Sequence, residues 1–192
     1  MSWRESRVYG EPQEKEIDEM HSTLPLSFYG LSKLISEYYI QLYAKRYGIN
    51  HTILRYSNVY GMGQGGNGEG GVITKFIGCL LQDLAPTIYG DGKQTRDFIF
   101  VKDVAAANLT ALHNGDFATL NISCGFPTTI NQLFNKIVTI CEKNVYPLYQ
   151  PGQTGDIRHS VLNNQRAKSI LNWEPVYNLY EGLTQTVQNT RI

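Results

Sequence analysis

Apolar residues recur every three to four positions between residues 27 and 47, and this spacing predicts the longest helix of the chain. The apolar positions are Leu31, Leu34, Ile35, Tyr38, Tyr39, Leu42 and Tyr43. Gly48 follows, and glycine readily adopts the left-handed backbone that often ends a helix. The next run, residues 51–56, has a composition typical of strands and is bounded by turn residues, so we expect a buried strand there.

The rest of the chain alternates between helix-like and strand-like runs. Helices are predicted over residues 72–84, 103–113, 129–143, 163–171 and 180–190, and strands over residues 87–89, 98–101 and 120–123. Such alternation predicts an α/β fold.

Several local signals refine these boundaries. Thr129 followed by Gln132 has the form of a capping box, and Asn163 is a candidate N-cap. Residues 1–26 are polar and rich in turn formers, which predicts a surface segment with at most one short strand near residues 8–9. Seven glycines between residues 57 and 71 predict a long loop, and loops of that length are usually functional or disordered.

Composition narrows the possible partners. The 192 residues carry 17 basic and 17 acidic side chains, so no charge excess favours a nucleic acid or an anionic membrane surface. The three cysteines are odd in number and the four histidines are scattered, which predicts reduced thiols and no metal site. No apolar run reaches the ~18 residues of a membrane span. We therefore expect a cytoplasmic protein.

Tyr29 and Lys33 are the first candidates for chemistry. At positions i and i+4 of the predicted helix, they emerge on the same face, one turn apart. A nearby ammonium favours the phenolate and lowers a tyrosine pKa that starts near ~10, which suits general acid/base catalysis. Because the chain has 13 tyrosines, a chance surface pair remains an open alternative.

Three further stretches carry polar side chains suited to a nucleotide. Asn58 follows a predicted strand end, where open α/β sheets bind ligands. Arg96 follows a glycine turn, and its planar fork suits a diphosphate. Asp156 and Arg158 together could hold ribose hydroxyls and a phosphate or base. Singly, Asn58 could instead cap a turn and Arg96 could pair with a surface carboxylate.

Together, these motifs resemble one family. They are Tyr-x-x-x-Lys at 29–33, Arg-Tyr-x-Asn-Val-Tyr-Gly at 55–61 and Arg-Asp-Phe-Ile-x-Val-x-Asp-Val at 96–104. The chain resembles the extended short-chain dehydrogenase/reductase family, specifically its NAD-dependent nucleotide-sugar epimerases and dehydratases. The resemblance is strongest to the epimerases of UDP-glucose and UDP-galactose, and it implies 4-epimerisation through a transient 4-keto sugar with NAD as cofactor.

The resemblance also implies residue roles. Tyr29 would be the general acid/base, Lys33 would lower the Tyr29 pKa and hold the nicotinamide ribose, and Ser57 would lie beside the nicotinamide. The implied nucleoside diphosphate contacts are Asn58, backbone around Val72 and near Tyr89, and the side chains of Arg96, Asp156 and Arg158. A homodimer through the helix at residues 27–47 is also implied.

The sequence departs from this family in several places. No Gly-x-x-Gly-x-x-Gly turn is present, and the glycine-dense residues 61–71 follow the catalytic helix, so they are not a dinucleotide fingerprint. Glu5 stands where the family has Ser or Thr, and Gln153 where an Arg is frequent. Ser6 and Arg7 replace the Asp-Glu pair of the dehydratases, which disfavours the dehydratase reaction.

The expected architecture is therefore the C-terminal part of a doubly wound Rossmann-like domain plus a small α/β substrate-binding domain, without the dinucleotide-binding half. Residues 1–70 would belong to the Rossmann-like domain. Residues 71–192 would mainly bind the nucleotide sugar, with some segments returning to the Rossmann-like sheet. On its own, such a chain is expected to be inactive. The alternatives are a non-catalytic nucleotide-sugar-binding or partner-binding remnant, and a nucleotide-sugar 4,6-dehydratase.

Overall fold

The computed structural model describes residues 8–12, 14–63, 71–152 and 157–190. Within these ranges the helices are α1 (Phe28–Tyr47), α2 (Val72–Leu81), α3 (Val101–Ala111), α4 (Ile130–Cys141), α5 (Gln165–Leu171) and α6 (Leu179–Thr190). The strands are β1 (Thr52–Tyr56), β2 (Asn58–Tyr60), β3 (Thr87–Tyr89), β4 (Thr95–Arg96), β5 (Phe98–Phe100), β6 (Ala118–Ile122), β7 (Thr128–Thr129) and β8 (Leu148–Gln150). The predicted α/β class is confirmed.

The described strands associate in pairs. β1 runs parallel to β6, β2 to β5 and β3 to β8, whereas β4 and β7 are antiparallel. Parallel neighbours need long crossover connections, usually helical. Here α2 and α3 lie in these connections, so β1 and β2 pair with strands much later in the chain.

Apolar side chains from the strands and helices form two main core clusters. One contains Tyr60 and Phe100 together with side chains of α2, α4 and α6. The other joins β5 and β6 to α3, α5 and Trp173. A smaller third cluster consists of Val8, Tyr9, Ile17, Leu34 and Leu162. This third cluster attaches the N-terminal segment and α1 to the rest of the fold.

Two predicted helix ends are confirmed in detail. Gly48 ends α1 with φ of 65°, and its N–H donates to the Ala44 carbonyl. At the start of α4, the Gln132 N–H donates to the Thr129 hydroxyl and the Thr129 N–H donates to the Gln132 side chain. Both ends depend on residues within four positions, which is why the sequence predicts them.

The apolar face expected on α1 is not buried by the described residues. The residues of α1 that are buried are Gly30, Leu34, Glu37 and Ala44, whereas Leu31, Ile35, Tyr38, Tyr39, Leu42 and Tyr43 are exposed. The predicted helix is confirmed, and of its seven predicted apolar positions only Leu34 is buried.

Three other expectations need correction. Asn58–Tyr60 forms β2 inside the segment predicted as a loop, because β5 pairs with it and supplies its hydrogen bonds; residues 64–70 lie outside the described chain. Residues 8–9, where at most one short strand was expected, form a turn and a bend, and both are buried. Helix α3 begins at Val101, which had been assigned to the preceding strand.

The start of α5 is displaced by one residue. Its N-cap is Asn164 and not Asn163, although the Asn163 side chain still accepts a hydrogen bond from the Gln165 N–H. No helix in the described part of the chain is long and apolar enough to cross a membrane.

Candidate functional site

Tyr29 and Lys33 lie on the first two turns of α1. Ser27 caps this helix by accepting a hydrogen bond from the Gly30 N–H at 3.1 Å. The Lys33 ammonium lies 5.2 Å from the centre of the Tyr29 ring, a cation–π distance. The structure thus brings the two side chains together on one face, as their spacing predicts.

A buried ion pair anchors α1 to β1. Arg55 donates from Nε to Glu37 Oε1 at 2.9 Å and from Nη2 to Oε2 at 2.6 Å. Burial would lower the pKa of Arg55, but the hydrogen bonds and charges of Glu37 and Tyr9 together outweigh this and raise that pKa above the ordinary value. This pair is a polar contact between the helix that carries Tyr29 and the strand that leads to Ser57.

Tyr9 extends this anchor into the N-terminal segment. The Arg55 guanidinium stacks 4.7 Å from the Tyr9 ring centre, and the Tyr9 hydroxyl donates to Asn121 Oδ1 at 2.7 Å. Burial raises the pKa of Tyr9 to about 12, so this phenol stays protonated at neutral pH. Its ring and its hydroxyl hold the N-terminal segment against β1 and β6.

The anchor also orients Lys33 relative to Ser57. α1 leads through a short loop directly into β1, so the helix runs back along the strand. Lys33 precedes Glu37 by one turn, about 6 Å along the helix axis, and Ser57 follows Arg55 by two residues, about 7 Å along the strand. Because Glu37 contacts Arg55, Lys33 and Ser57 are each farther along the chain from the connecting loop than the ion pair is.

Asp97 joins Ser57 to several other segments. Its carboxylate accepts hydrogen bonds from the Ser57 hydroxyl at 3.3 Å, the Cys124 N–H at 3.0 Å and the Gly125 N–H at 3.0 Å. Its backbone carbonyl accepts from the Asn58 N–H at 2.8 Å. The carboxylate therefore lies where β1 and β6 end and β5 begins.

Arg158 forms a two-pronged ion pair with Asp91 of the Gly90–Gly92 turn. The two N–O distances are 2.7 and 2.8 Å. These hydrogen bonds lower the pKa of Asp91 and raise the pKa of Arg158. Both side chains are exposed to about half their surface, so a ligand phosphate could take the place of Asp91.

Arg96 lies beside this turn but is much less accessible. Its exposed fraction is 9%, and Nη1 donates to the Thr95 carbonyl at 2.8 Å. The Thr95 N–H in turn donates to the Arg158 carbonyl at 3.0 Å. Main-chain contacts thus hold the two predicted phosphate-binding arginines on adjoining segments.

The remaining predicted contacts lie on separate elements. Tyr89 ends β3, and its carbonyl accepts from Gln94 Nε2 at 2.7 Å, so this oxygen is already engaged. Val72 is the first residue of α2, where backbone N–H groups lack partners within the helix and suit an anion. Asp156 lies outside the described residues, as do Glu5, Ser6, Arg7 and Gln153.

The residues that connect the site were not predicted from the sequence. Glu37 continues the Tyr29 and Lys33 spacing by one more turn, which was an available signal. Asp97 is an acidic residue at the start of an apolar strand, a position where a carboxylate needs several donors. The pairing of Asp91 with Arg158 had no signal, because 67 residues separate them.

Comparisons with known proteins agree on one family. The sequence model for the NAD dependent epimerase/dehydratase family matches residues 5–123. A protein of Methanocaldococcus jannaschii named "Putative UDP-glucose 4-epimerase" is 46% identical over 180 residues, which cover 94% of this chain and 58% of that protein. The UDP-glucose 4-epimerase of Mycolicibacterium smegmatis is 34% identical, with 94% of this chain and 58% of that protein covered.

The fold has close counterparts among solved structures. The crystal structure of UDP-glucose 4-epimerase with UDP-glucose from Thermotoga maritima is 40% identical and superposes with a TM-score of 0.95, covering 98% of this chain and 61% of that one. The chain thus spans about three fifths of its relatives' length. Its fold matches the portion of the epimerase structures that was expected from the sequence motifs.

Proposed function

Because the chain belongs to the NAD dependent epimerase/dehydratase family, we propose that it supplies the catalytic helix and the nucleotide-sugar-binding surface of an epimerase that inverts C4 of a UDP-hexose. The supporting observation is the Tyr29–Lys33 pair on α1, whose helix is held by the Glu37–Arg55 anchor to the strand that leads to Ser57. An acid/base group near the end of that strand would suit a ligand, because ligands of open α/β sheets bind at strand ends.

Tyr29 would move the proton in this reaction. Its phenolate oxygen removes the proton from the sugar hydroxyl at C4 and later returns it, while the Lys33 ammonium stabilises the phenolate by its charge. When bound, NAD supplies the acceptor and donor of the hydride. Lys33 and Ser57 fit the nicotinamide end of that cofactor.

The nucleoside diphosphate would lie along the opposite side of the site. Asn58 and the N-terminus of α2 at Val72 can donate to the phosphates, and the backbone at Tyr89 can contact the base. Arg96 and Arg158 supply positive charge for the diphosphate, with Asp156 available for the ribose. On ligand binding, Arg158 would exchange its Asp91 partner for a phosphate oxygen.

The decisive experiment measures binding and turnover together. Two proteins are compared: the chain itself, and a chimera that joins it to the remaining portion of the Thermotoga maritima relative. In both, calorimetry measures the affinity for UDP-glucose, and an assay with added NAD measures its conversion to UDP-galactose. Tyr29→Phe should lower turnover by roughly 10²-fold or more with little change in affinity. Tyr43→Phe, an exposed tyrosine on the same helix, is the matched control.

The alternatives give other results. Binding without turnover in both forms would favour a non-catalytic nucleotide-sugar-binding protein. A 4-keto-6-deoxy product would favour a dehydratase. Near-normal turnover of Tyr29→Phe would remove Tyr29 from the mechanism.

We also propose that a second copy of the chain covers the exposed apolar face of α1. Exposed apolar patches of this kind mark interaction sites in soluble proteins. The same face on both copies would form a symmetric contact, the commonest arrangement of dimers.

A further inference from the structure

Asp97 is a deeply buried carboxylate beside the site, with an exposed fraction of 2%. Four groups donate hydrogen bonds to it: the Ser57 hydroxyl and the backbone N–H groups of Cys124, Gly125 and Leu162. They come from segments 27 to 65 residues away in the sequence. A buried ionised carboxylate needs such donors, because it has lost its contacts with water.

Two of these four contacts, and the main chain of Asp97 itself, lead to residues that the proposed function uses. Ser57 is held directly, and the Asn58 N–H donates to the Asp97 main-chain carbonyl. Arg96 precedes Asp97 in the chain. Leu162 is the last residue of the segment 158–162, which begins with Arg158. The Arg158 carbonyl of this segment accepts a hydrogen bond from the Thr95 N–H.

We propose that Asp97 is a positioning residue: its carboxylate holds Ser57, the turn at residues 124–125 and the segment at residues 158–162 in one arrangement, and this arrangement sets the affinity for the nucleotide sugar. The inference rests on the proposed function and adds to it a residue that need not touch the ligand. Loss of any one donor contact would release one side of the site from the others.

Protonation changes these contacts without changing a residue. Burial raises the pKa of Asp97 to about 6, although the four donors oppose the rise. When the carboxyl is protonated, the Ser57 hydroxyl can turn and accept its O–H. Because the raised pKa means that this arrangement binds the proton more tightly than an opened, hydrated one, we expect the arrangement to persist as the pH falls below about 6.

Several other charged or titratable groups surround Asp97. The Cys124 thiol lies in the turn after β6, and burial, with a smaller contribution from Asp97, raises its pKa to about 12. Asp103 of α3 also raises the Cys124 pKa. Arg96 adjoins Asp97, and Arg158 and His159 lie on the 158–162 segment, where the His159 ring bonds to Thr95.

The first test needs no ligand. In the ¹⁵N-labelled chain, the amide resonances of Cys124, Gly125, Leu162 and Asn58 should titrate together, with a common midpoint near pH 6. The same measurement is repeated in His159→Gln, which removes the imidazole on the 158–162 segment. Independent midpoints, or no movement between pH 5 and 8, would overturn the proposal, and this result needs no variant of Asp97.

The second test measures affinity for UDP-glucose, whose diphosphate does not gain or lose a proton between pH 5 and 8. Parent affinity should not fall as the pH is lowered through the amide midpoint, because protonation favours the arrangement. Asp97→Asn should bind about tenfold more weakly than the parent at pH 7.5, as expected for a hydrogen bond lost near a charged group, and its affinity should change little with pH. Asp103→Asn is the matched control, since Asp103 is a buried carboxylate that accepts the Val176 and Tyr177 N–H groups.

The two tests separate the possible failures. Equal affinity losses in Asp97→Asn and Asp103→Asn would mean that Asp97 has only a general structural role, which overturns the inference. No UDP-glucose binding by the parent at any pH would overturn the proposed function and the ligand-binding part of this inference. The amide titration would still decide whether Asp97 couples the segments.

Discussion

Individual charged residues in this chain differ mainly in how much water reaches them. Arg158 is half exposed and pairs with Asp91, whereas the side chains of Arg55 and Glu37 are about one tenth exposed. Exposed pairs contribute little to stability because water screens them. Removing one partner of a buried pair is costly because it leaves an uncompensated charge.

Glu37→Gln tests the anchor of α1. The substitution preserves shape but leaves the Arg55 charge buried without its carboxylate, so the free energy of unfolding should fall by about 3–5 kcal/mol. Urea denaturation measures the loss. Asp83→Asn, which breaks the more exposed Lys143–Asp83 pair, should cost at most ~1 kcal/mol, and equal losses in both variants would contradict the assignment.

Arg96 tests the diphosphate contact. If its guanidinium pairs with the ligand, Arg96→Ala should weaken UDP-glucose binding by about 1.5–3 kcal/mol, roughly a tenfold to hundredfold change in Kd. Arg96→Lys should recover only part, because an ammonium lacks the planar fork. Calorimetry of these variants beside Arg166→Ala, an exposed arginine on α5, gives the comparison. Unchanged affinity in Arg96→Ala would exclude Arg96 from the site.

At the scale of elements, helix ends are held by local contacts and helix faces by distant ones. The capping box of α4 illustrates the first case. Thr129→Ala removes the hydroxyl that accepts the Gln132 N–H, and we expect a loss of about 1 kcal/mol in the free energy of unfolding. Thr139→Ala on the exposed side of the same helix should change it less, and an equal change would argue against capping as the cause.

The exposed face of α1 illustrates the second case. If a second copy covers this face, Leu42→Glu should shift the protein from dimer to monomer, because a carboxylate would be buried in the contact. Light scattering after size-exclusion chromatography reports the mass. Leu109→Glu, at an exposed leucine of α3, should leave the mass unchanged. A parent that is monomeric at high concentration would refute the dimer.

At the scale of the whole molecule, Asp97 joins several distant segments, and the stability of the fold should depend on its protonation. The folded-state pKa of about 6 lies above the ordinary value of 3.8, so the folded protein binds the proton more tightly than the unfolded chain. This contribution to stability is present below pH 3.8 and is lost as the pH rises through 6.

The measurement compares unfolding of the parent and Asp97→Asn at several pH values. Relative to the variant, the parent should gain on the order of 2–3 kcal/mol between pH 7.5 and pH 4. Taking the difference between the two proteins cancels the titration of other carboxylates. A pH-independent difference would show that Asp97 has an ordinary pKa.

The sequence by itself determined the features that depend on neighbouring residues. The α/β alternation, the Gly48 and Thr129 helix ends and the shared face of Tyr29 and Lys33 all follow from contacts within about four positions. The motifs also identified the family, because its residues stand at matching spacings along the chain.

Only the tertiary structure decided the features that depend on distant segments. β2 is a strand because β5 pairs with it. The apolar face of α1 is exposed because no described segment packs on it. Asp97 and Arg158 gain their partners from residues up to 67 positions away. A local pattern carries no information about such partners, since the chain brings them together only when it folds.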